Sequence, residues 1–122
     1  MSEYAARLIA ENRQSRSPQL DLSYYKLDVL PPEISQLVWL ESLKLYDSMM
    51  DDAALVDLSP LAPLRKLRYL QAGRNQVSDL TPLQDMTVLQ TLWLDRSRVA
   101  DLTPLRHLSS LTVLSLANSE VR

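Results

Sequence analysis

The chain has 122 residues, a net charge of −2 and no cysteine. These values exclude disulfides and thiolate metal sites, and they leave no basic field of the kind that draws nucleic acid or an anionic membrane surface. Leucine supplies 26 residues, while phenylalanine is absent and glycine occurs once, so one domain with a core of equivalent leucine positions is expected.

Residues 2–14 read as an amphipathic helix. Ser2 is placed to cap it, and Ala5, Leu8, Ile9 and Asn12 recur at helical spacing with Tyr4 beside them. Pro18 prevents any continuation. The segment is neither a Sec-type leader, having no continuous apolar stretch and no cleavage signal, nor a membrane span. Residues 1–16 are expected to form a cap over the first turn of a stacked array, which has no neighbour beneath it. A membrane or partner helix is the weaker alternative, because the polar face is mixed in charge.

From residue 17 the chain repeats. Residues 67–88 are followed by a near copy in 89–110, 22 residues on, and DLTPL recurs unchanged at 79–83 and 101–105. A fixed period of this size signals a repeat array. Five turns align on L-x-x-L-x-L, starting at residues 17, 40, 67, 89 and 111. In each turn the L-x-L alternation predicts a short strand with leucines inward, paired in parallel with its neighbours. The pairs Ser59-Pro60, Thr81-Pro82 and Thr103-Pro104 then predict a Ser/Thr cap before a proline-led helical or 3₁₀ segment, returning the chain and burying Leu64, Met86 and Leu108. Pro31, Pro32 and Glu33 serve the same purpose in turn one.

These turns resemble the leucine-rich repeat family over residues 17–122. The 22-residue turns with DLTPL resemble the bacterial internalin type, and LDLSYYKLDVLPPEISQL is similar to the 23-residue class of bacterial signalling proteins. The resemblance implies an α/β solenoid of about five turns, with a concave parallel sheet, short helical or 3₁₀ segments on the convex side and an N-terminal capping helix. It also implies protein–protein recognition as the activity.

The pattern departs in three places. The family's ninth-position asparagine, whose amide ties down the strand end, is matched by Asn75, but Tyr25, Ser48, Ser97 and Ser119 stand at the equivalent positions. A serine hydroxyl cannot span as an amide does, and Tyr25 is expected to turn outward. Turn two carries five extra residues within 47–55. They form either a tolerated loop excursion or a rim loop offering Met49, Met50, Asp51 and Asp52 to a partner. Turn five lacks a capping segment, so its strand should leave Leu114, Leu116 and Val121 uncovered.

Between the inward leucines lie the residues of the concave face. Tyr46, Tyr69 and Trp93 fall on successive turns and should form an aromatic diagonal, accompanied by Gln71 and Asp95. Trp, Tyr and Arg dominate binding hot spots, and aromatics also stabilise sheets by simple cross-strand cover. Arg74 should stack beneath Arg96 with Arg98 at the rim, either in an ion-pair network with Asp47 and Asp95 or free for an anionic feature of a partner. Trp39 is expected to pack locally toward turn one, outside the site.

Catalytic readings find little support. His107 is the single histidine, with no metal-ligand spacing around it, and Gly73, the single glycine, makes no phosphate loop. No serine stands in a nucleophile elbow. The expectation is a non-enzymatic module without cofactor or metal that binds another protein, and neither nucleic acid nor membrane. Two alternatives remain: a targeting or sensor domain of a larger bacterial signalling or effector protein, and self-association through the C-terminal edge strand. A cytoplasmic location is expected, with a secreted effector as the alternative.

Overall fold

The computed structural model describes residues 2–23, 29–45, 55–73 and 75–116. Helix α1 spans Ser2–Ser15 and buries Ala5, Ile9 and Asn12. Five three-residue strands follow, β1 (Gln19–Asp21), β2 (Ser42–Lys44), β3 (Tyr69–Gln71), β4 (Thr91–Trp93) and β5 (Val113–Ser115). They form one parallel sheet in sequence order. Each strand puts a single leucine inward: Leu43, Leu70 and Leu92 are fully buried, while Leu114 at the far edge is not.

The stack is held by a repeated hydrogen-bond pattern. The carbonyls of Pro18, Glu41, Arg68 and Gln90 each accept two successive N–H groups from the following turn, at 2.8–3.0 Å. At the other end of each strand, on the same edge, the N–H groups of Leu22, Leu45, Ala72 and Leu94 donate forward, to Lys44, Gln71, Trp93 and Ser115. Because every turn repeats these bonds, the register passes unchanged from β1 to β5, with Leu20, Leu43, Leu70, Leu92 and Leu114 aligned.

The return segments are 3₁₀ turns at Pro32–Gln36, Ser59–Leu61, Thr81–Leu83 and Thr103–Leu105. They bury Leu64, Met86 and Leu108 as the periodicity requires. Each such side chain contributes about 1.5–3 kcal/mol relative to an exposed one.

The capping chemistry differs from expectation. Ser59, Thr81 and Thr103 are the first residues of these turns, preceded by Leu58, Leu80 and Leu102 at the cap position, and their hydroxyls make no capping bond. Aspartates two residues upstream do that work instead. Asp57, Asp79 and Asp101 accept the N–H of Ser59, Thr81 and Thr103 through Oδ1 at 2.8–2.9 Å. The hydroxyls turn to the same carboxylates, holding all three below the ordinary carboxylate range, with the backbone N–H adding to the effect. A charged acceptor at the mouth of a proline-led turn satisfies a donor that the 3₁₀ geometry leaves open.

At the ninth position, Asn75 Nδ2 donates to the carbonyls of Leu45 in the preceding turn and of Ala72 and Gly73 in its own. Ser97 is buried and its hydroxyl donates to the Leu94 carbonyl of its own turn. Tyr25, Ser48 and Ser119 lie outside the described residues, as does Val121.

Trp39 packs locally against the core and reaches the capping helix. Its indole N–H donates to Asn12 Oδ1 at 2.7 Å, and the Arg16 guanidinium lies 4.9 Å from its ring centroid. The Asn12 amide in turn donates to the carbonyls of Ser17 and Gln19, each at 3.1 Å. The capping helix therefore satisfies the open edge of β1 with a side chain where a preceding turn would have used backbone.

Candidate functional site

Inward leucines leave the flanking positions of each strand on the concave face, and the register sorts them into two columns. One runs Gln19, Ser42, Tyr69, Thr91, Val113, and the other Asp21, Lys44, Gln71, Trp93, Ser115. The face is thus polar and charged at the N-terminal end and richer in aromatic and apolar surface toward β4 and β5. Tyr69 is half-buried beside Thr91, while Trp93 is 36% exposed between Gln71 and Ser115. Tyr69 and Trp93 therefore stand diagonally, on adjacent strands and in different columns. Tyr46, the third aromatic of the expected diagonal, lies outside the described residues.

Beyond β4 the chain turns sharply. Arg96 adopts φ +59°, a left-handed conformation unusual for a residue with a side chain. That turn points Ser97 inward and leaves Arg96 and Arg98 exposed on either side of it. Among the described residues neither arginine joins an ion pair; those present link Arg65 to Asp85 and Arg68 to Glu41, on exposed ground elsewhere. Arg74 lies outside the described residues, as do Asp47 and Met49, Met50, Asp51 and Asp52 of the candidate rim loop.

Asp95 is partly buried, and its Oδ1 is fully enclosed without a hydrogen-bond partner among the described residues. Among the described residues the carboxylate pairs with neither Arg96 nor Arg98, while Arg74 and Asp47 of the expected network lie outside the described residues. It occupies the space above Gly73, where a Cβ would meet Asp95 Oδ1 at 2.7 Å. Gly73 has no positive φ, so what requires glycine there is room. The Gly73 N–H donates to Gln71 Oε1 at 3.0 Å, just as the Ser23 N–H donates to Asp21 Oδ1 at 2.8 Å. Trp93, at the equivalent position of the next turn, has no acceptor to offer, and its ring is left to solvent. The sequence singled out Gln71 for its place on the face; its second role, fixing the strand exit, is signalled by the polar acceptor two residues before a buried small residue.

His107 is exposed on the convex return and accepts a hydrogen bond from Arg106 Nε at 3.2 Å. Among the described residues, no group of three or more His, Cys, Asp or Glu is placed to hold a metal ion. Among the described residues, one open depression lies between successive return turns and is lined by Pro63, Arg65, Pro82 and Asp85, and another lies over Gln19, Asp21, Ser42 and Lys44. No helix among the described residues is long and apolar enough to cross a membrane.

Solved structures place this architecture. Internalin C2 from Listeria monocytogenes is 32% identical, with a TM-score of 0.76 over 85% of this chain and 43% of its own. The chain is a leucine-rich repeat protein of bacterial type. The inlF internalin of the same organism matches at 24% identity and a TM-score of 0.70, over 96% of this chain and 43% of its own. A leucine-rich repeat protein of Leptospira interrogans shares the fold at 23% identity and a TM-score of 0.62, over 92% and 34% of the two chains. This leucine-rich repeat chain spans less than half the length of each of these proteins. No protein-family model matches it, and no curated protein does.

Proposed function

We propose that this chain is a non-catalytic recognition module that grips a partner protein with the concave face of its sheet. The exposed indole of Trp93 carries the reading. A large aromatic surface stands open on a face whose strand residues are mostly polar, beside two arginines free of ion pairs among the described residues. Burying an indole within a ring of polar contacts is how a few residues come to dominate an interface. Arg96 and Arg98 add forked donors suited to carboxylate or phosphate groups on that partner. Tyr69, Gln71 and Asp95 complete the described part of the face, and Tyr46 and Arg74 are assigned to it by their place in the repeat. The fold, shared with internalins, fits protein–protein interaction.

A photo-crosslinking residue placed at Gln71 on the sheet, and in a second variant at Gln84 on the convex return, tests the reading. A partner captured from Gln71, absent from Gln84 and lost on Trp93→Ala is the expected result. Equal capture from both positions overturns the assignment to the concave face.

A further inference from the structure

The strand exits differ in one hydrogen bond. In turn one the Ser23 N–H donates to Asp21 Oδ1 at 2.8 Å, and in turn three the Gly73 N–H donates to Gln71 Oε1 at 3.0 Å. Both acceptors belong to the same concave column, two residues before the donor. Trp93 holds that place in turn four, and an indole offers a donor but no acceptor. The Asp95 N–H accordingly has no partner among the described residues. Lys44 of turn two also lacks an acceptor, but Tyr46 after it lies outside the described residues.

The direction of the Asp95 donor is set by the repeat. The residue before it bonds forward in the same way at each exit, Leu22 to Lys44, Ala72 to Trp93 and Leu94 to Ser115, each at 2.8 Å. The following N–H therefore leaves each strand toward its own side chain in that column, and in turn four this side chain is the exposed indole. The Asp95 carboxylate is held elsewhere, with Oδ1 enclosed above Gly73.

Cations stand immediately after the open donor. Arg96 and Arg98 are exposed and join no ion pair among the described residues. Arg96 occupies the third position of a turn closed by the Ser97 N–H on the Leu94 carbonyl at 3.2 Å, with φ +59° where glycine is the usual residue. The turn would form more readily with glycine, and the described fold makes no use of the guanidinium.

We propose that the Asp95 N–H and the Arg96 and Arg98 guanidinium groups together receive a side-chain carboxylate of the partner protein, from an acidic residue beside an apolar one that lies on Trp93. The proposal rests on the concave-face reading and names the partner's chemistry at that face. The chain's own acceptors for this donor are side-chain oxygens, so the partner supplies from outside what Asp21 supplies within turn one. Two guanidinium groups favour a carboxylate over a neutral amide, because charge-assisted hydrogen bonds are about twice as strong as neutral ones. A partner that covers the indole also strips water from the Asp95 N–H. One without an acceptor there buries an unpaired donor and is rejected. Trp93 thus selects twice, by the surface it offers and by the acceptor it lacks.

Peptides selected from a phage-displayed random library on the immobilised chain are the probe. The expected binders carry an acidic residue next to an aromatic or aliphatic one and are lost on Trp93→Ala. Replacing the acidic residue of a selected peptide by its amide should weaken binding about tenfold. Arg96→Gly, which suits the turn, should weaken the acidic peptide by a similar factor and leave the amide peptide nearly unchanged, with Arg98→Gln acting in the same direction. By NMR the Asp95 amide of the free chain should exchange faster than that of Gly73, and it should shift downfield and become protected when the acidic peptide binds. Peptides that need Trp93 but carry no acidic residue, equal binding of the acidic and amide forms, or an Asp95 amide unmoved by binding would overturn the carboxylate proposal and leave the concave face in place. Selected peptides indifferent to Trp93→Ala, or a selection that yields none, would overturn both.

Discussion

Asn12 and Trp39 are 27 residues apart and joined by a 2.7 Å hydrogen bond from the indole N–H to the amide oxygen. Since the Asn12 nitrogen also holds the Ser17 and Gln19 carbonyls, a single side chain ties the helix, the first strand and the end of the first turn together. Replacing Asn12 by alanine leaves an indole donor and two carbonyls without these partners at a site that is 5% exposed. An unsatisfied buried group costs about 1–3 kcal/mol, so Asn12→Ala should lower stability by at least that much in urea titrations. Trp39→Phe, which keeps the ring and removes one donor, should cost less. Hydrogen exchange should show the loss first in β1, with β3 and β4 little changed.

Gly73→Ala is expected to destabilise the chain by about 1–3 kcal/mol, the usual cost of forcing atoms into a filled site. The added methyl would lie 2.7 Å from Asp95 Oδ1 and 3.1 Å from both the Asp95 carbonyl and Gln71 Oε1. Asp95→Ala alone should be neutral or stabilising in the same assay, because it removes a buried oxygen with no partner among the described residues. In the double variant the nearest contact is gone, and a coupling of about 0.5–3 kcal/mol should appear between the two sites. Purely additive effects would separate the need for glycine from the Asp95 carboxylate.

Acid should weaken the convex turns. Hydrogen bonds from the Ser59, Thr81 and Thr103 hydroxyls, and then from their N–H groups, lower the pKa of Asp57, Asp79 and Asp101 in the folded chain. A depressed carboxylate contributes stability that is fully present above the unfolded pKa of about 3.9 and is lost as pH falls through the folded value. The melting temperature should therefore hold near neutrality and drop below about pH 4. Converting all three to asparagine keeps an Oδ1 acceptor while removing the titration, so the acid slope should flatten with little change at pH 7. An unchanged slope would place the acid sensitivity elsewhere.

The array itself was legible because its cause is local and repeated. L-x-L alternation sets which side chains point inward, and a constant period makes every turn's hydrogen bonds copy the last. The capping residue was misplaced because D-L-[ST]-P offers two acceptors for one donor, and the periodic signal does not distinguish a hydroxyl at the first position of the turn from a carboxylate two residues upstream. The Asn12–Trp39 bond left no pattern at all, since it joins elements of different period, and only an asparagine on the apolar face of a helix hinted at it. On the concave face, column membership could be read from the strand alternation. The absence of an ion pair between Asp95 and Arg96 could not, because it depends on the left-handed turn at Arg96.

The ninth-position side chains give the last comparison. Asn75 sends one amide to three carbonyls, and the Leu45 bond crosses to the preceding turn. The Ser97 hydroxyl donates to Leu94 within its own turn. Both side chains are buried, so truncation leaves acceptors that water cannot reach, and the cost should scale with how many are left. Asn75→Ala should lose about 2–4 kcal/mol and Ser97→Ala about 1–2 kcal/mol, taking roughly 1 kcal/mol or more for each bond to a buried group. The inter-turn bond adds a qualitative difference. Without it the end of β2 loses the side-chain bond that ties it to the next turn, so Asn75→Ala should also broaden the urea transition as the first two turns begin to unfold ahead of the rest. Urea titrations followed separately by Trp39 fluorescence, reporting the first turns, and by Trp93 fluorescence, reporting the fourth, would show this. Coincident transitions in the Asn75→Ala variant would mean that the amide contributes stability without coupling the turns.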